Sequence, residues 1–256
     1  MLSQRVEFPG SLGHALAGRL DTPDGAPLAW AVFAHCFTCS KDTKAAAPIA
    51  QALADAGFGV LRFDFTGLGG SGGDFANTNF SSNVDDLVAA AGWLRDQHGP
   101  PTLLIGHSLG GAAVLAATDR IADARAVATV GAPFDPSHVT HQFGANLEAI
   151  EADGEAQVQL GGRPFTIRRS FVDDINGQAQ EQRIHALRRP LLVLHSPGDN
   201  VVGMDNARRI FEAALHPKSF VALDGADHLL TRAADARFAA AMIAAWAARY
   251  LPAAAA

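Results

Sequence analysis

Ser108 stands in Leu104-Ile105-Gly106-His107-Ser108-Leu109-Gly110-Gly111, an apolar run that passes through Gly-x-Ser-x-Gly into an alanine-rich stretch. The run reads as a buried strand, a sharp turn and a helix. A serine on such an elbow is held at an unfavourable backbone angle that pushes its hydroxyl into an open site. Gly106 and Gly110 flank it because a side chain at either would collide with the neighbouring strand or helix. A serine hydroxyl is a poor nucleophile at neutral pH and needs a base, usually a histidine oriented by a carboxylate. Two downstream segments have the right form. Leu194-His195-Ser196-Pro197-Gly198-Asp199 reads as a strand and a turn ending in a carboxylate. Leu223-Asp224-Gly225-Ala226-Asp227-His228 reads as a strand end and a loop ending in histidine. Asp199 and His228 are therefore the expected acid and base, with Ser108 the nucleophile.

There are ten histidines, so the assignment has competitors. His107, inside the elbow, is expected to pack beside the serine. His195, at a strand end, is the second choice for the base. Asp135 is the second choice for the acid, because it follows the apolar strand Ala126–Val130. His138 and His141 share one face of a helical turn, but no carboxylate or cysteine lies beside them at ligand spacing, so no metal is expected.

Acyl transfer passes through a tetrahedral oxyanion that needs preorganised N–H donors. The amide of Leu109, just after the serine at a helix N-terminus, is one expected donor. The other should come from the loop Ala34-His35-Cys36-Phe37-Thr38-Cys39-Ser40, which follows the strand Ala29–Ala34. Many hydrolases carry His-Gly and then a bulky residue here, and the third residue donates its amide. Phe37 is the equivalent, and Cys36 in place of glycine is a departure that could move the donor by one residue. Cys36-Phe37-Thr38-Cys39 also matches Cys-x-x-Cys, which raises a thiol-dependent, peroxide-linked alternative. Against it, no thioredoxin-like pattern surrounds the motif. The turn Asp64-Phe65-Thr66-Gly67-Leu68-Gly69-Gly70-Ser71-Gly72 invites a phosphate-cradle reading, but its glycines do not run into a helix and no Walker lysine follows. Structural support of the site is the expected role.

The elements that must position these groups alternate. Strands are expected at Arg5–Phe8, His14–Leu20, Ala29–Ala34, Gly59–Phe63, Thr102–Gly106, Ala126–Val130, Pro190–His195 and Ser219–Leu223. Helices are expected near Asp42–Ala56, Asn83–Gln97, after Ser108, and near Leu229–Tyr250, with Pro252 and four alanines at the end. Such alternation calls for a mostly parallel, doubly wound α/β sheet with reactive groups beyond the carboxyl ends of its strands. Residues 134–188 break the pattern. They hold a hairpin, Val158–Ile167 with Gly161-Gly162 at its turn, among charged helical pieces. This insertion, between the sixth and seventh core strands, reads as a cap or lid within one domain spanning residues 1–256. Phe143, Phe165 and Phe171 in it are candidates to line an apolar acyl or alcohol pocket.

Composition bounds the rest. The net charge of −6 offers no basic field for nucleic acid, and no apolar run is long enough to span a bilayer. No secretory pattern opens the chain, so a cytoplasmic protein without membrane partners is expected. With only Cys36 and Cys39, no disulfide framework is expected to support the fold.

These features together resemble the α/β-hydrolase superfamily over nearly the whole chain. Phe33–Asp42, Leu61–Gly67 and Asp74–Asn83 more narrowly resemble hydrolases joined to, or encoded with, OsmC-type peroxide-reductase domains. The resemblance implies an α/β-hydrolase fold and a serine esterase with Ser108, Asp199 and His228 as its triad. It also implies a functional association with an OsmC-type domain. The expected substrate is a small carboxylic ester with a short acyl group, and no cofactor is required. A thioesterase or peptidase using the same residues is the nearest rival, and a non-catalytic hydrolase-like partner module is a rival of another class.

Overall fold

The computed structural model describes residues 1–251. Pro252 and the alanines after it lie outside the described residues. Eight strands form one sheet: β1 (Leu2–Pro9), β2 (Ala15–Thr22), β3 (Ala29–Ala34), β4 (Phe58–Phe63), β5 (Pro101–His107), β6 (Ala126–Val130), β9 (Leu191–His195) and β10 (Lys218–Ala222). Two more, β7 (Glu155–Leu160) and β8 (Arg163–Arg168), pair only with each other. The main sheet runs β1-β2-β4-β3-β5-β6-β9-β10; β1–β2 and β2–β4 are antiparallel, and every other pair is parallel. This is the expected α/β-hydrolase fold, a mostly parallel sheet with helices on both faces.

The central strands are short apolar runs because both their faces are covered. Every residue of β4, β5, β6 and β9 is buried. Helices α1 (Ala46–Asp55) and α8 (Ala233–Ala247) cover one face, where Ile49, Leu53, Phe33, Ile105 and Ile243 share a core. Helices α2 (Phe80–Gln97), α3 (Leu109–Ala117) and α7 (Asp205–Ala213) cover the other, around Leu61, Phe63, Leu87, Leu104 and Val193. All nine residues of α3 are buried, which small alanine and glycine side chains permit.

Most boundaries lie within a few residues of the sequence expectation. The exception with a physical reason is α2, expected from Asn83 but starting at Phe80. Asn79 accepts from the Ser82 N–H at 2.8 Å and its own N–H donates to Ser82 Oγ at 2.9 Å, a capping box that starts the helix earlier. The last helix is shorter than expected, Ala233–Ala247, because the loop carrying His228 runs on into Arg232.

Between β6 and β9 lie a 3-10 segment (Pro136–Asn146), α4 (Leu147–Asp153), the β7–β8 hairpin, α5 (Arg169–Asn176) and α6 (Gln180–His185). Gly161 and Gly162 take φ of 57° and 76° at the hairpin turn, the left-handed pair that a two-residue turn of this kind demands. Phe143, Val158, Ile167 and Phe171 from this insertion join the core cluster of the α2–α3 face. No helix among the described residues is long and apolar enough to cross a membrane.

Candidate active site

The elbow is built by sterics. Ser108 has φ 54° and ψ −126°, a left-handed backbone held at one end by its N–H donating to the Val130 carbonyl at 2.9 Å. A Cβ on Gly106 would come to 2.2 Å from the Gly110 carbonyl oxygen, and one on Gly110 to 2.3 Å from the Ala34 carbonyl oxygen. Gly111 has the same constraint, with Ala132 Cβ at 2.5 Å. Only glycine allows β5, α3 and β3 to close around the serine.

Ser108, His228 and Asp199 are brought together from three strand ends. His228 Nε2 is 3.0 Å from Ser108 Oγ, and His228 Nδ1 is 2.7 Å from Asp199 Oδ2. With Nδ1–H facing the carboxylate, Nε2 is left free to accept the serine proton. The Asp199 loop is in turn tied to the histidine loop, because Ser196 Oγ donates to the Ala226 carbonyl at 2.7 Å. Gly131 borders the contact, and its φ of 57° is a backbone conformation that L side chains rarely adopt; a Cβ there would sit 3.4 Å from both Asp199 Oδ2 and His228 Nδ1.

Asp199 remains ionised for identifiable reasons. Burial alone would raise its carboxyl, but hydrogen bonds from His228 and from the Val202 and Val201 N–H groups hold it below the usual carboxylate range. Asp135, the alternative acid, spends its carboxylate on the Ser137 N–H at 2.9 Å and caps the 3-10 segment instead. His195 donates Nε2–H to the Val202 carbonyl at 2.7 Å, so it braces the acid loop. His107 is fully buried and donates Nε2–H to the His228 main-chain carbonyl at 2.7 Å. Burial, with the His228 charge adding to it, pushes His107 down to about 3, so the ring is neutral.

Among the described residues, neither the Phe37 nor the Leu109 N–H is used in a hydrogen bond to the protein. The Phe37 turn is more elaborate than its sequence suggests. Cys36 and Cys39, from which no disulfide framework was expected, are bridged to each other. The Cys39 N–H donates to the Cys36 carbonyl at 3.1 Å, and His35 Nδ1–H donates to the same carbonyl at 2.8 Å. Thr38, inside the bridge, has φ 55°. Arg163, at the start of β8, donates to the Thr38 carbonyl across the insertion.

The glycine-rich turn after β4 holds a carboxylate of the protein itself. Asp64 accepts from the Lys41 N–H at 2.6 Å, Lys41 Nζ at 2.7 Å and the Gly70 N–H at 2.8 Å. Gly69, at φ 54°, is required there, since a Cβ would meet Asp64 Oδ2 at 2.2 Å. Arg62, buried on β4, pairs with Asp21 at 2.7 Å and with the Lys41 carbonyl at 2.7 Å. The network anchors the segment just after the Phe37 turn.

Phe143 and Phe171 are buried and Phe165 is half-buried. Phe37 packs against Phe143, Phe171 and Phe75 with ring centroids 6.5, 5.6 and 5.8 Å away, and Phe75 meets Phe165 at 5.0 Å. The aromatic cluster thus rests on the Phe37 turn. His138 and His141 meet edge to face with ring centroids 4.9 Å apart, and His138 Nε2–H donates to the Val201 carbonyl at 2.9 Å. Among the described residues, no group of three or more His, Cys, Asp and Glu side chains could hold a metal ion. Sequence reading missed the Cys36–Cys39 bridge, the Arg163 contact and the brace from His107. Only the bridge had a signal, the Cys-x-x-Cys spacing.

A family model described as Hydrolase_4, Serine aminopeptidase S33, matches residues 27–152. The esterase domain of a Rhodothermus marinus protein, seen in a crystal structure, is 48% identical; the match covers 98% of this chain and 100% of that one, with a TM-score of 0.80. A monoacylglycerol lipase of Mycolicibacterium smegmatis is 26% identical over 234 residues, 80% of this chain and 82% of its own. Est1E from Butyrivibrio proteoclasticus with ferulic acid bound shares the fold at a TM-score of 0.81 and 17% identity, over 96% of this chain and 98% of its own.

Proposed function

The chain belongs to the α/β-hydrolase superfamily, and from that premise we propose that it is a serine esterase whose triad is Ser108, His228 and Asp199. The observation that carries the reading is one chain of hydrogen bonds, Asp199 Oδ2 to His228 Nδ1 and His228 Nε2 to Ser108 Oγ, and the Phe37 and Leu109 N–H groups make no hydrogen bond to the protein among the described residues.

Ser108 Oγ attacks the ester carbonyl while His228 Nε2 takes its proton, and Asp199 stabilises the imidazolium that forms. The Phe37 and Leu109 N–H groups receive the oxyanion. Collapse of the tetrahedral intermediate breaks the bond to the alcohol, which leaves with the proton from His228. Water, deprotonated by the same histidine, then attacks the acyl-enzyme and frees the acid. Phe143, Phe165 and Phe171 cover the acyl or alcohol group. Because Phe143 and Phe171 already pack on Phe37 and on each other, and Phe165 packs on Phe75 beside them, a short acyl group requires the least rearrangement. The insertion 134–188 acts as the cap. Ester cleavage is favoured by the relatives, an esterase domain and a monoacylglycerol lipase.

The test is hydrolysis of p-nitrophenyl esters from acetate to decanoate by the wild type and Ser108→Ala. The expected result is activity that falls with acyl length and drops by about three decades or more in the variant. Activity that persists in Ser108→Ala removes the elbow assignment. Faster cleavage of aminoacyl p-nitroanilides or acyl thioesters than of any ester moves the substrate class to a peptide or thioester.

A further inference from the structure

We propose that Cys36–Cys39 is a redox-active disulfide site whose oxidised form holds the oxyanion donor in place, and that a dithiol reductant acting there slows acyl transfer. The proposal rests on the esterase reading for the identity of the donor.

The bridge lies in the catalytic machinery and contributes little elsewhere. It spans three positions of sequence, so it constrains little of the unfolded chain, and loop-closure stabilisation is smallest for such short loops. What it constrains is the peptide between Cys36 and Phe37. That unit is planar and trans, so whatever fixes the Cys36 carbonyl also aims the Phe37 N–H in the opposite direction. Two donors hold the carbonyl, His35 Nδ1–H at 2.8 Å and the Cys39 N–H at 3.1 Å, and the second exists only while the turn is closed. Thr38 works against closure. It is β-branched and sits at φ 55°, where side chains branched at Cβ are rarely found. With the sulfurs parted, Thr38 is free to leave that region, the Cys39–Cys36 bond opens, and the Phe37 N–H loses its aim.

The sulfurs are also placed for exchange. Cys36 is 4% exposed, whereas Cys39 is half-buried at the outer end of the turn. A thiolate of the dithiol attacks the Cys39 sulfur, breaking the S–S bond and expelling Cys36 as thiolate. The second thiol of the reductant then closes on the mixed disulfide and expels Cys39. Two electrons pass to the protein, the reductant leaves as its cyclic disulfide, and its two protons end on Cys36 and Cys39. No other cysteine occurs in the sequence, so a dithiol has a single target.

The experiment measures three things on the full chain before and after dithiothreitol, and again after reoxidation: alkylatable thiols, kcat and KM for p-nitrophenyl acetate, and the rate of Ser108 labelling by a fluorophosphonate. Labelling passes through the same oxyanion hole but requires no ester activity. The expected result is two new thiols and a fall in kcat and in labelling rate of about ten- to a hundredfold, with KM little changed and full recovery on reoxidation. The double variant Cys36→Ser, Cys39→Ser should stay at the lowered rate with or without dithiol. Equal rates in both redox states overturn the proposal, as does a native protein whose cysteines are free thiols that oxidant does not join. Slower labelling on reduction in a protein that cleaves no ester sustains the redox site and overturns the esterase reading. Absence of both labelling and cleavage in either state overturns both.

Discussion

His107 donates its Nε2–H to the main-chain carbonyl of His228 across 2.7 Å, with the two rings 5.2 Å apart. The residue before the proposed nucleophile therefore braces the backbone of the proposed base. The contact fixes where His228 sits independently of its own ring contacts. Burial, rather than the bond, requires a neutral imidazole here, since a charged one would be held in a dry site facing His228.

That requirement gives a pH dependence of stability. The folded-state value of His107 is lowered from 6.5 to about 3, by burial first and the His228 charge second. Burial lowers His35 and His195 in the same sense. Between those limits the unfolded chain binds more protons than the folded one, so stability is full above the unfolded value and is lost as pH falls towards the folded one. Each such group contributes a slope of up to about 1.4 kcal/mol per pH unit. Urea midpoints measured between about pH 7 and about pH 5 should fall steeply for the wild type and less for His107→Gln, which keeps a donor without the titration. An equally steep fall in the variant would clear His107 of the effect.

Asp199→Asn should lower kcat by about three to four decades while leaving the thermal midpoint close to the wild type. An amide facing His228 Nδ1 favours the wrong tautomer and removes the charge that stabilises the imidazolium. Full activity in this variant, with loss in Asp135→Asn, would move the acid to the end of β6.

Arg163→Ala tests the contact between the insertion and the Thr38 carbonyl. The expected change is a shift in acyl-length preference, with kcat on acetate altered by no more than about threefold, because the donor turn keeps its own bonds. Deleting the hairpin tip around Gly161-Gly162 should act in the same direction and more strongly. If the preference for short esters is untouched by both changes, the insertion does not shape the pocket.

Local sterics made much of this protein legible in its sequence. The strands Ala29–Ala34 and Ala126–Val130 are read to the residue, since a strand covered on both faces must be a short apolar run between turn residues. The elbow's glycines are legible for a steric reason: a Cβ on Gly106 would meet the Gly110 carbonyl oxygen at 2.2 Å within the turn itself, and one on Gly110 would meet the Ala34 carbonyl oxygen of β3 at 2.3 Å. Helix α2 starts earlier than its apolar pattern suggests because Asn79 and Ser82 cap each other, a signal that was present but carries no hydrophobic period.

Other relationships existed only once the chain had folded. Asp199 and Asp135 both follow strands and look alike in sequence; the loop geometry after β9 turns one toward His228, while the start of the 3-10 segment consumes the other. Arg163 and Thr38 are 125 residues apart, and nothing in either segment announces that the hairpin reaches the Phe37 turn. Cys36 and Cys39 have the spacing of several chemistries, and only the folded turn, which brings them together despite Thr38 at positive φ, shows a bridge between them. Sequence determines what each segment can be on its own, through sterics and hydrophobic period. Which side chains then meet depends on the stacking of strand ends in the sheet, a long-range property no short pattern encodes.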